Sequence, residues 1–529
     1  MTSGGLTGAP TSSAKLYLSI FLLTIATFME ILDTTVVNVA IPKIAGDLSA
    51  APEETAWVIG AYLVANAIIL PISGWLATFF GRKRYYMACV ALFIISSFLC
   101  GMATDLTSLI VFRIMQGLSG GGLAPSEQAI IADTAPPDKL GRAFSIYAFA
   151  LATAPVFGPT LGGWITDTYS WHWIFFINVP IGIISLILVH FFVHESEKTI
   201  QAREKARSER KTIDWQGILL FAIGIGALEL FLERGPREDW FESDFILVTA
   251  LVAFVALIAG IGWELAQKHP AVDLQLFKHR NFAGACVLIF AAAMISTGSV
   301  FLVPFMAQTL LGYNTMTAGM IGVPSAIVQI IMIPTVGYFL DKIDPRKIIL
   351  LGLAISILAL WHLTTISLDV DFYYLAQARA YQSFGLAFLA VSINTAAYAD
   401  VPPEKNNGAS ALLNLARNMG GSLSIALVTT TITQRTQLHI NNFSYHLTNY
   451  NPNFVEAIKK MATMFEEKGF SAVQAADQSM QMMWEIVIKQ AGIKAILDAY
   501  YIFIILSVLV LPIVFLLKSR NQSNASNGH

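Results

Sequence analysis

Residues 111–133 read VFRIMQGLSGGGLAPSEQAIIAD, and residues 377–400 read QARAYQSFGLAFLAVSINTAAYAD. Each is an apolar stretch carrying an arginine and, three places on, a glutamine: Arg113 with Gln116, Arg379 with Gln382. Each runs into a matching turn. Asp133 leads into Thr-Ala-Pro-Pro-Asp-Lys, and Asp400 leads into Val-Pro-Pro-Glu-Lys. A third pair agrees with these two: GWLATFFGRKR at 74–84 resembles GYFLDKIDPRK at 337–347. The chain therefore contains one helical half twice, the arrangement of secondary transporters, which bind cargo between their halves near the bilayer midplane.

Composition around the repeats excludes most other classes. Apolar residues make up 55% of the 529 and charged residues 13%, where soluble domains carry roughly 25% charge. Mean hydropathy is +0.62. So few charges cannot coat a water-exposed surface, which excludes a soluble enzyme, a disordered chain and a nucleic-acid binder. The net charge of −2 offers no field to a polyanion. Cys89, Cys100 and Cys286 lie in apolar runs without metal-ligand spacing and read as packing residues. No Gly-Lys dipeptide and no His-Glu-x-x-His occurs, so neither a phosphate-binding loop nor that zinc motif is present, and no cofactor is expected.

A hydrocarbon core of about 30 Å needs roughly 20 apolar residues in helical form. About fourteen such runs are legible, near 16–44, 54–80, 84–104, 107–131, 142–167, 172–194, 213–234, 243–266, 282–310, 316–340, 347–368, 372–400, 406–434 and 495–518. The fold class is thus an all-α polytopic membrane protein: two six-helix bundles at 15–195 and at 280–434 plus 495–518, with two helices inserted at 213–266. A cytoplasmic linker is expected at 196–212, an extracytoplasmic helical loop at 435–494, and disordered ends at 1–14 and 519–529. With the N-terminus inside, inner loops and tails hold twenty-one of the 33 Lys and Arg residues, and short outer loops hold three. Both termini are therefore expected in the cytoplasm.

Further motifs resemble the major facilitator superfamily, specifically its fourteen-span drug:proton antiporter branch, over nearly the whole chain. LDTTVVNVAIP at 32–42 is similar to that branch's first-helix motif. Gly158-Pro159-Thr-Leu-Gly162-Gly163 resembles the antiporter motif of its fifth helix, and WHWIFFINVP at 171–180 resembles the start of its sixth. The long loop before the last span is similar to that of EmrB-type inner-membrane subunits of three-part efflux pumps. The resemblance implies export of small hydrophobic drugs in exchange for protons, and no enzyme activity. It also implies hand-over to a periplasmic adaptor of the EmrA type and an outer-membrane channel. In one departure, Thr78 stands where the family's basic loop usually has Asp. Asp341 occupies the equivalent place in the second half.

Ionisable groups inside hydrocarbon cost at least a few kcal/mol each and point to function. Glu30 and Asp33 share one face of the first run. Arg113, Gln116 and Glu127 lie on one polar stripe of the fourth. Asp33 is expected to bind the coupled proton with Arg113 as its electrostatic partner, and Glu30 and Glu127 are further proton-coupling candidates. Asn38, Gln116 and Gln382 are expected in the substrate cavity. Gly158, Pro159, Gly162 and Gly163 are expected to form a conformational hinge by close helix approach and bending. Gly74, Gly81, Arg82, Lys83 and Asp341 are expected at an inner gate, with the basic residues also meeting membrane lipids. Glu229 and Glu264 are weaker candidates, Glu264 at the interface. Arg379 and Arg417 read as pairing with carbonyls or snorkelling. An uptake symporter for a small nutrient, or an intramembrane enzyme or receptor, are the competing readings. The Gly-Pro-x-x-Gly-Gly run and the two inserted spans favour export through the resemblance.

Overall fold

The computed structural model describes residues 13–193, 214–267 and 270–518. The linker expected at 196–212, the tail at 519–529 and most of the 1–14 segment lie outside the described residues. Within them the chain is helical and holds no strand. The long helices are α1 (Ser13–Asp47), α2 (Trp57–Phe80), α3 (Arg82–Gly101), α4 (Leu106–Gly120), α5 (Leu123–Thr134), α6 (Leu140–Thr168), α7 (Asn178–Phe192), α8 (Trp215–Arg234) and α9 (Asp244–Ala266). They continue as α10 (Arg280–Thr309), α11 (Val323–Leu340), α12 (Pro345–Leu363), α13 (Phe372–Ala397), α14 (Asn406–Ser444), α15 (Pro452–Glu467) and α16 (Ala472–Leu516).

Eleven helices among the described residues are long and apolar enough to cross a membrane. Three more runs are helical but depart from that pattern for visible reasons. The run 106–134 breaks at Gly121 and Gly122 into α4 and α5. In α13, Arg379, Gln382, Ser383 and Asn394 lower the hydropathy. In α14 the same is done by Asn406, Asn407, Asn414 and Arg417. Fourteen crossings fit this set. Large apolar side chains such as Leu251, Phe254 and Leu358 stand 62%, 64% and 70% exposed on the outer faces, where hydrocarbon is the solvent that suits them.

The two halves pack as copies. In the first, α1 packs on α6, α2 on α4, α3 on α4, and α7 on both α1 and α3. In the second, α10 packs on α14, α11 on α13, α12 on α13, and α16 on both α10 and α12. The junctions between halves repeat too: α2 meets α14, and α11 meets α6. The inserted α8 packs on α9, α2 and α14, so the pair covers one of these two junctions.

Residues 435–494, expected as an extracytoplasmic helical loop, are mostly helical: α14 and α16 run on into them and α15 lies between. α14 is 39 residues long and α16 is 45, hence about 58 and 67 Å at 1.5 Å per residue. Both overrun a hydrocarbon layer of about 30 Å. Beyond it, α15 lies on α16 with Phe454 buried between them. At the base of the projection Asp498 Oδ2 meets His439 Nε2 at 3.0 Å and Arg435 Nε at 3.6 Å.

Gly117 marks one of the tightest crossings. A Cβ there would stand 2.4 Å from the Tyr62 carbonyl oxygen, a backbone atom that cannot swing aside. Gly262 faces open space within 4 Å. Gly117→Ala is expected to lower unfolding stability by about 1–3 kcal/mol, and Gly262→Ala to change it by no more than about 0.5 kcal/mol. Thermal unfolding of the purified variants checks both.

Candidate functional site

Asp33 is 1% exposed and Arg113 0%. Arg113 Nη1 donates to Asp33 Oδ2 at 2.6 Å and to Gln116 Oε1 at 2.6 Å, and its Nε donates to the Val58 carbonyl at 3.0 Å. The guanidinium carbon lies 4.2 Å from the centre of the Tyr62 ring, a cation–π geometry. Asp33 Oδ1 accepts from Gln116 Nε2 at 3.0 Å and from Asn178 Nδ2 at 2.6 Å, and Gln116 also donates to Ser97 Oγ at 2.7 Å. One acid thus gathers groups from α1, α2, α3, α4 and α7. A helical spacing of three brings Arg113 and Gln116 to one side of α4, so both can reach the same carboxylate. Asp33 and Arg113 meet as the sequence suggests. Ser97, Val58 and Tyr62 carry no sequence signal for this role. Asn178 stood in a quoted motif without one.

A cavity of about 170 Å³ lies between the halves, midway along the helices, with Glu30, Asn66, Tyr147, Asn414, Arg417 and Asn418 in its wall. Glu30 Oε1 accepts from Asn66 Nδ2 at 3.0 Å and from the Tyr62 hydroxyl at 3.3 Å. Glu127, fully buried behind it, accepts from Thr24 Oγ1 at 2.7 Å and from the Thr27 hydroxyl. Neither carboxyl has a cation within ion-pair distance among the described residues, which distinguishes both from Asp33. Arg417 reaches across from the second half. It donates to the Tyr147 hydroxyl and to Asn414 Oδ1, both at 2.9 Å, and to Asn394 Oδ1 at 3.3 Å. It binds side chains rather than carbonyls or the interface. Of the residues expected in the cavity, Gln116 is inside the Asp33 network and Gln382 is buried in the second bundle, where it donates to Ser299 Oγ at 2.5 Å. Asn38 is exposed on α1 away from this wall. Asn414 and Asn418 line it instead. Their signal was their repeat at a spacing of four, on either side of Arg417, in α14.

Below the cavity, toward the end that carries both termini, polar contacts link the halves. Asp341 Oδ2 meets Arg142 Nε at 2.6 Å. At the matching place in the other junction, Asn407 Nδ2 donates to Thr78 Oγ1 at 2.8 Å. Thr78 thus joins a neutral contact where its twin Asp341 joins an ionic one. Arg82 pairs with Asp133 and donates to the Pro403 carbonyl at 3.2 Å, and Asn406 Nδ2 donates to Asp133 Oδ1 at 2.7 Å. Gly74 lets α14 approach: a Cβ would lie 2.7 Å from the Asn407 carbonyl oxygen. Gly81, with φ of +92°, takes a backbone turn that favours glycine. Lys83 Nζ donates to the His190 carbonyl at 2.7 Å, closing a helix end within the first half.

The glycines of α6 divide. A Cβ at Gly158 would fall 2.1 Å from Thr35 Oγ1 and 2.5 Å from Thr35 Cβ, and one at Gly162 would fall 3.1 Å from Val36. Gly163 has nothing within 4 Å. The Pro159 side chain lies outside the described ones. The crossing at Gly158 is two residues along α1 from Asp33. Glu264, two residues from the end of α9, is 2% exposed and accepts from the Val272 N–H at 3.2 Å. Glu229, 1% exposed, accepts from the Ser422 hydroxyl and ties the inserted pair to α14. No group of three or more His, Cys, Asp or Glu that could hold a metal occurs among the described residues.

Comparison with known proteins bears on the family and the fold. A family profile for the Major Facilitator Superfamily matches residues 23–425. The chain is 38% identical over 444 residues to the Multidrug export protein EmrB of Haemophilus influenzae, covering 84% of this chain and 86% of that one. It is 35% identical over 505 residues to the Fatty acid resistance protein FarB of Neisseria gonorrhoeae, covering 96% of each. Among solved structures, the proton:xylose symporter XylE superposes with a TM-score of 0.61 at 13% identity, over 96% of this chain and 97% of that one, a likeness of fold.

Removing one partner of a buried ion pair strands the other. Asp33→Asn leaves the Arg113 charge enclosed and is expected to reduce stability by about 3–5 kcal/mol. The double variant Asp33→Asn with Arg113→Gln is expected to recover a large part of that loss. Unfolding of the two single variants and the double variant measures the coupling. Additive losses would break the assignment of a direct pair.

Proposed function

The chain belongs to the major facilitator superfamily, and from that premise we propose that it is a proton-driven antiporter exporting hydrophobic or amphipathic toxic compounds and drugs. The observation that carries this reading is a buried carboxylate–guanidinium pair one helical turn from a cavity that both halves line. The relatives bear names of multidrug export and fatty acid resistance, which supports export over nutrient uptake. Potential contributes about 2.3 kcal/mol per charge per 100 mV, so one coupled proton sustains a cargo gradient on the order of a hundredfold at typical potentials.

In this mechanism Asp33 carries the coupled proton. Glu30 borders the cavity three residues away and relays protons between it and Asp33, and Glu127 holds a reserve site behind. A proton on Asp33 removes the charge that Arg113 faces. The arginine keeps the Val58 carbonyl, Gln116 Oε1 and the Tyr62 ring, contacts that offset part of the cost of leaving its charge enclosed when the pair opens. α1 is then free to move against α4, and the α1–α6 crossing at Gly158 moves with it. The contacts around Thr78, Asp133 and Asp341 close the cavity toward the terminus end. With both termini in the cytoplasm, as the Lys and Arg distribution predicts, these contacts close the cavity on the cytoplasmic side. The protein sits in the inner membrane, and the projection of α14, α15 and α16 meets a periplasmic adaptor of the EmrA type leading to an outer-membrane channel. Val473, Met480, Trp484 and Ile488 form an exposed apolar stripe on α16 that supports this contact.

Vesicles holding the purified chain are expected to release protons when drug is added against the gradient, and Asp33→Asn to abolish that release while the protein stays folded in the membrane. Coupled transport in the variant removes Asp33 from the mechanism, and drug moving together with protons favours the symporter. A bulky residue at Gly158 is expected to stop the cycle and alanine at Gly163 to leave it intact. Normal efflux in the Gly158 variant rejects the hinge. Deleting the projection should lose efflux across the whole envelope yet spare transport in vesicles. Loss of neither rejects the adaptor contact.

A further inference from the structure

The two halves treat their buried arginines differently. Adding 266 to a residue number carries Arg113 to Arg379, Gln116 to Gln382 and Asp33 to Ser299. The hydrogen bonds keep that register: Gln116 donates to Asp33, and Gln382 donates to Ser299. For α2 and α11 the step is 263, fixed by Pro71 with Pro334 and Gly74 with Gly337, and it carries Tyr62 to Ser325. The second half therefore lacks both groups that neutralise Arg113 in the first. Serine replaces the carboxylate, and serine replaces the aromatic ring.

Arg379 is 6% exposed. Its guanidinium donates to Gln382 Oε1 and has no carboxylate within ion-pair distance among the described residues. The Ser325 and Tyr500 hydroxyls, 4% and 1% exposed, have no hydrogen-bond partner among the described residues. Tyr500 lies within electrostatic range of Arg379. A buried cation without a counter-charge and buried hydroxyls without partners are each unfavourable alone. One anionic group among them would satisfy all three. We propose that Arg379, with Ser299, Ser325 and Tyr500, forms a binding site for a single anionic group in the second bundle. Two sources share this chemistry: the carboxylate of an amphipathic acid and a small inorganic anion. The first deepens the export reading by giving the cargo a negative head, and it rests on that reading for its transport consequence. The site itself does not.

Binding of decanoate and of decanol to the full chain in lipid nanodiscs, followed by titration calorimetry, tests this without any transport step. Decanoate is expected to bind saturably and at least about tenfold tighter than decanol, the gain of a charge-assisted contact. Arg379→Gln should remove that preference. Ser299→Asp should remove it too while the protein keeps its fold, because it supplies from within the carboxylate that Arg113 already has. Chloride that competes with decanoate identifies an inorganic occupant, and chloride that does not compete identifies the cargo head. Equal binding of decanol and decanoate, or an unchanged preference in both variants, overturns the proposal. So does unchanged preference in a folded Ser299→Asp protein alone.

Discussion

A charge enclosed in hydrocarbon has to be answered by the protein, because neither water nor lipid tails will do it. The pair Asp33–Arg113 is the strongest case in this chain, and much of the first bundle is arranged to meet it. Val58, Tyr62, Ser97, Gln116 and Asn178 come from four different helices, and each contributes one contact to the pair or to its partners. The glycine at 117 follows from the same demand: α4 can present Arg113 to Val58 only if α2 and α4 approach with no side chain between them. Binding and packing are therefore one design here. A proton placed on that acid loosens a contact that orders five helices.

The fold was legible because hydrocarbon imposes a length and the repeat imposes a count. Arg-x-x-Gln and Pro-Pro-acid-Lys occur twice at nearly constant separation, and the packing of α1–α7 on one side and α10–α14 with α16 on the other follows that separation. The ion pair was legible because Arg113 lies deep in the fourth run and Asp33 deep in the first, with Glu30 and Glu127 the other acids in those runs. The cavity wall was less so. Asn38, Gln116 and Gln382 are polar in apolar context, as wall residues would be, yet a buried amide serves equally well to orient a carboxylate or a hydroxyl. Sequence alone does not separate these uses, since the difference lies in which way each helix is rotated. The unbroken run of α14 and α16 past the spans was not legible for a related reason. A helix that leaves the membrane keeps its period but exchanges its apolar surface for a mixed one, so hydropathy ends the span where the helix does not end.

The gate follows the same logic of paired halves with unequal chemistry. At one junction Asp341 faces Arg142, and at the other Thr78 faces Asn407. An exposed or half-exposed ion pair contributes modestly and is screened by salt, and a neutral hydrogen bond is not. On the proposed reading they are two latches of different salt sensitivity on one opening. The inserted pair α8 and α9 covers the neutral junction, where Glu229 holds Ser422.

The projection of α14 and α16 has a mechanical side. Both are unbroken continuations of helices in the second bundle, and α16 carries about 35 Å of rod past the hydrocarbon layer. A stiff rod fixed to a rocking body is a pointer: each degree of tilt displaces its tip by about 0.6 Å. In the proposed cycle, whatever rests on that tip would be pushed and released once per turnover, and the internal rearrangement would become readable at a distance as displacement.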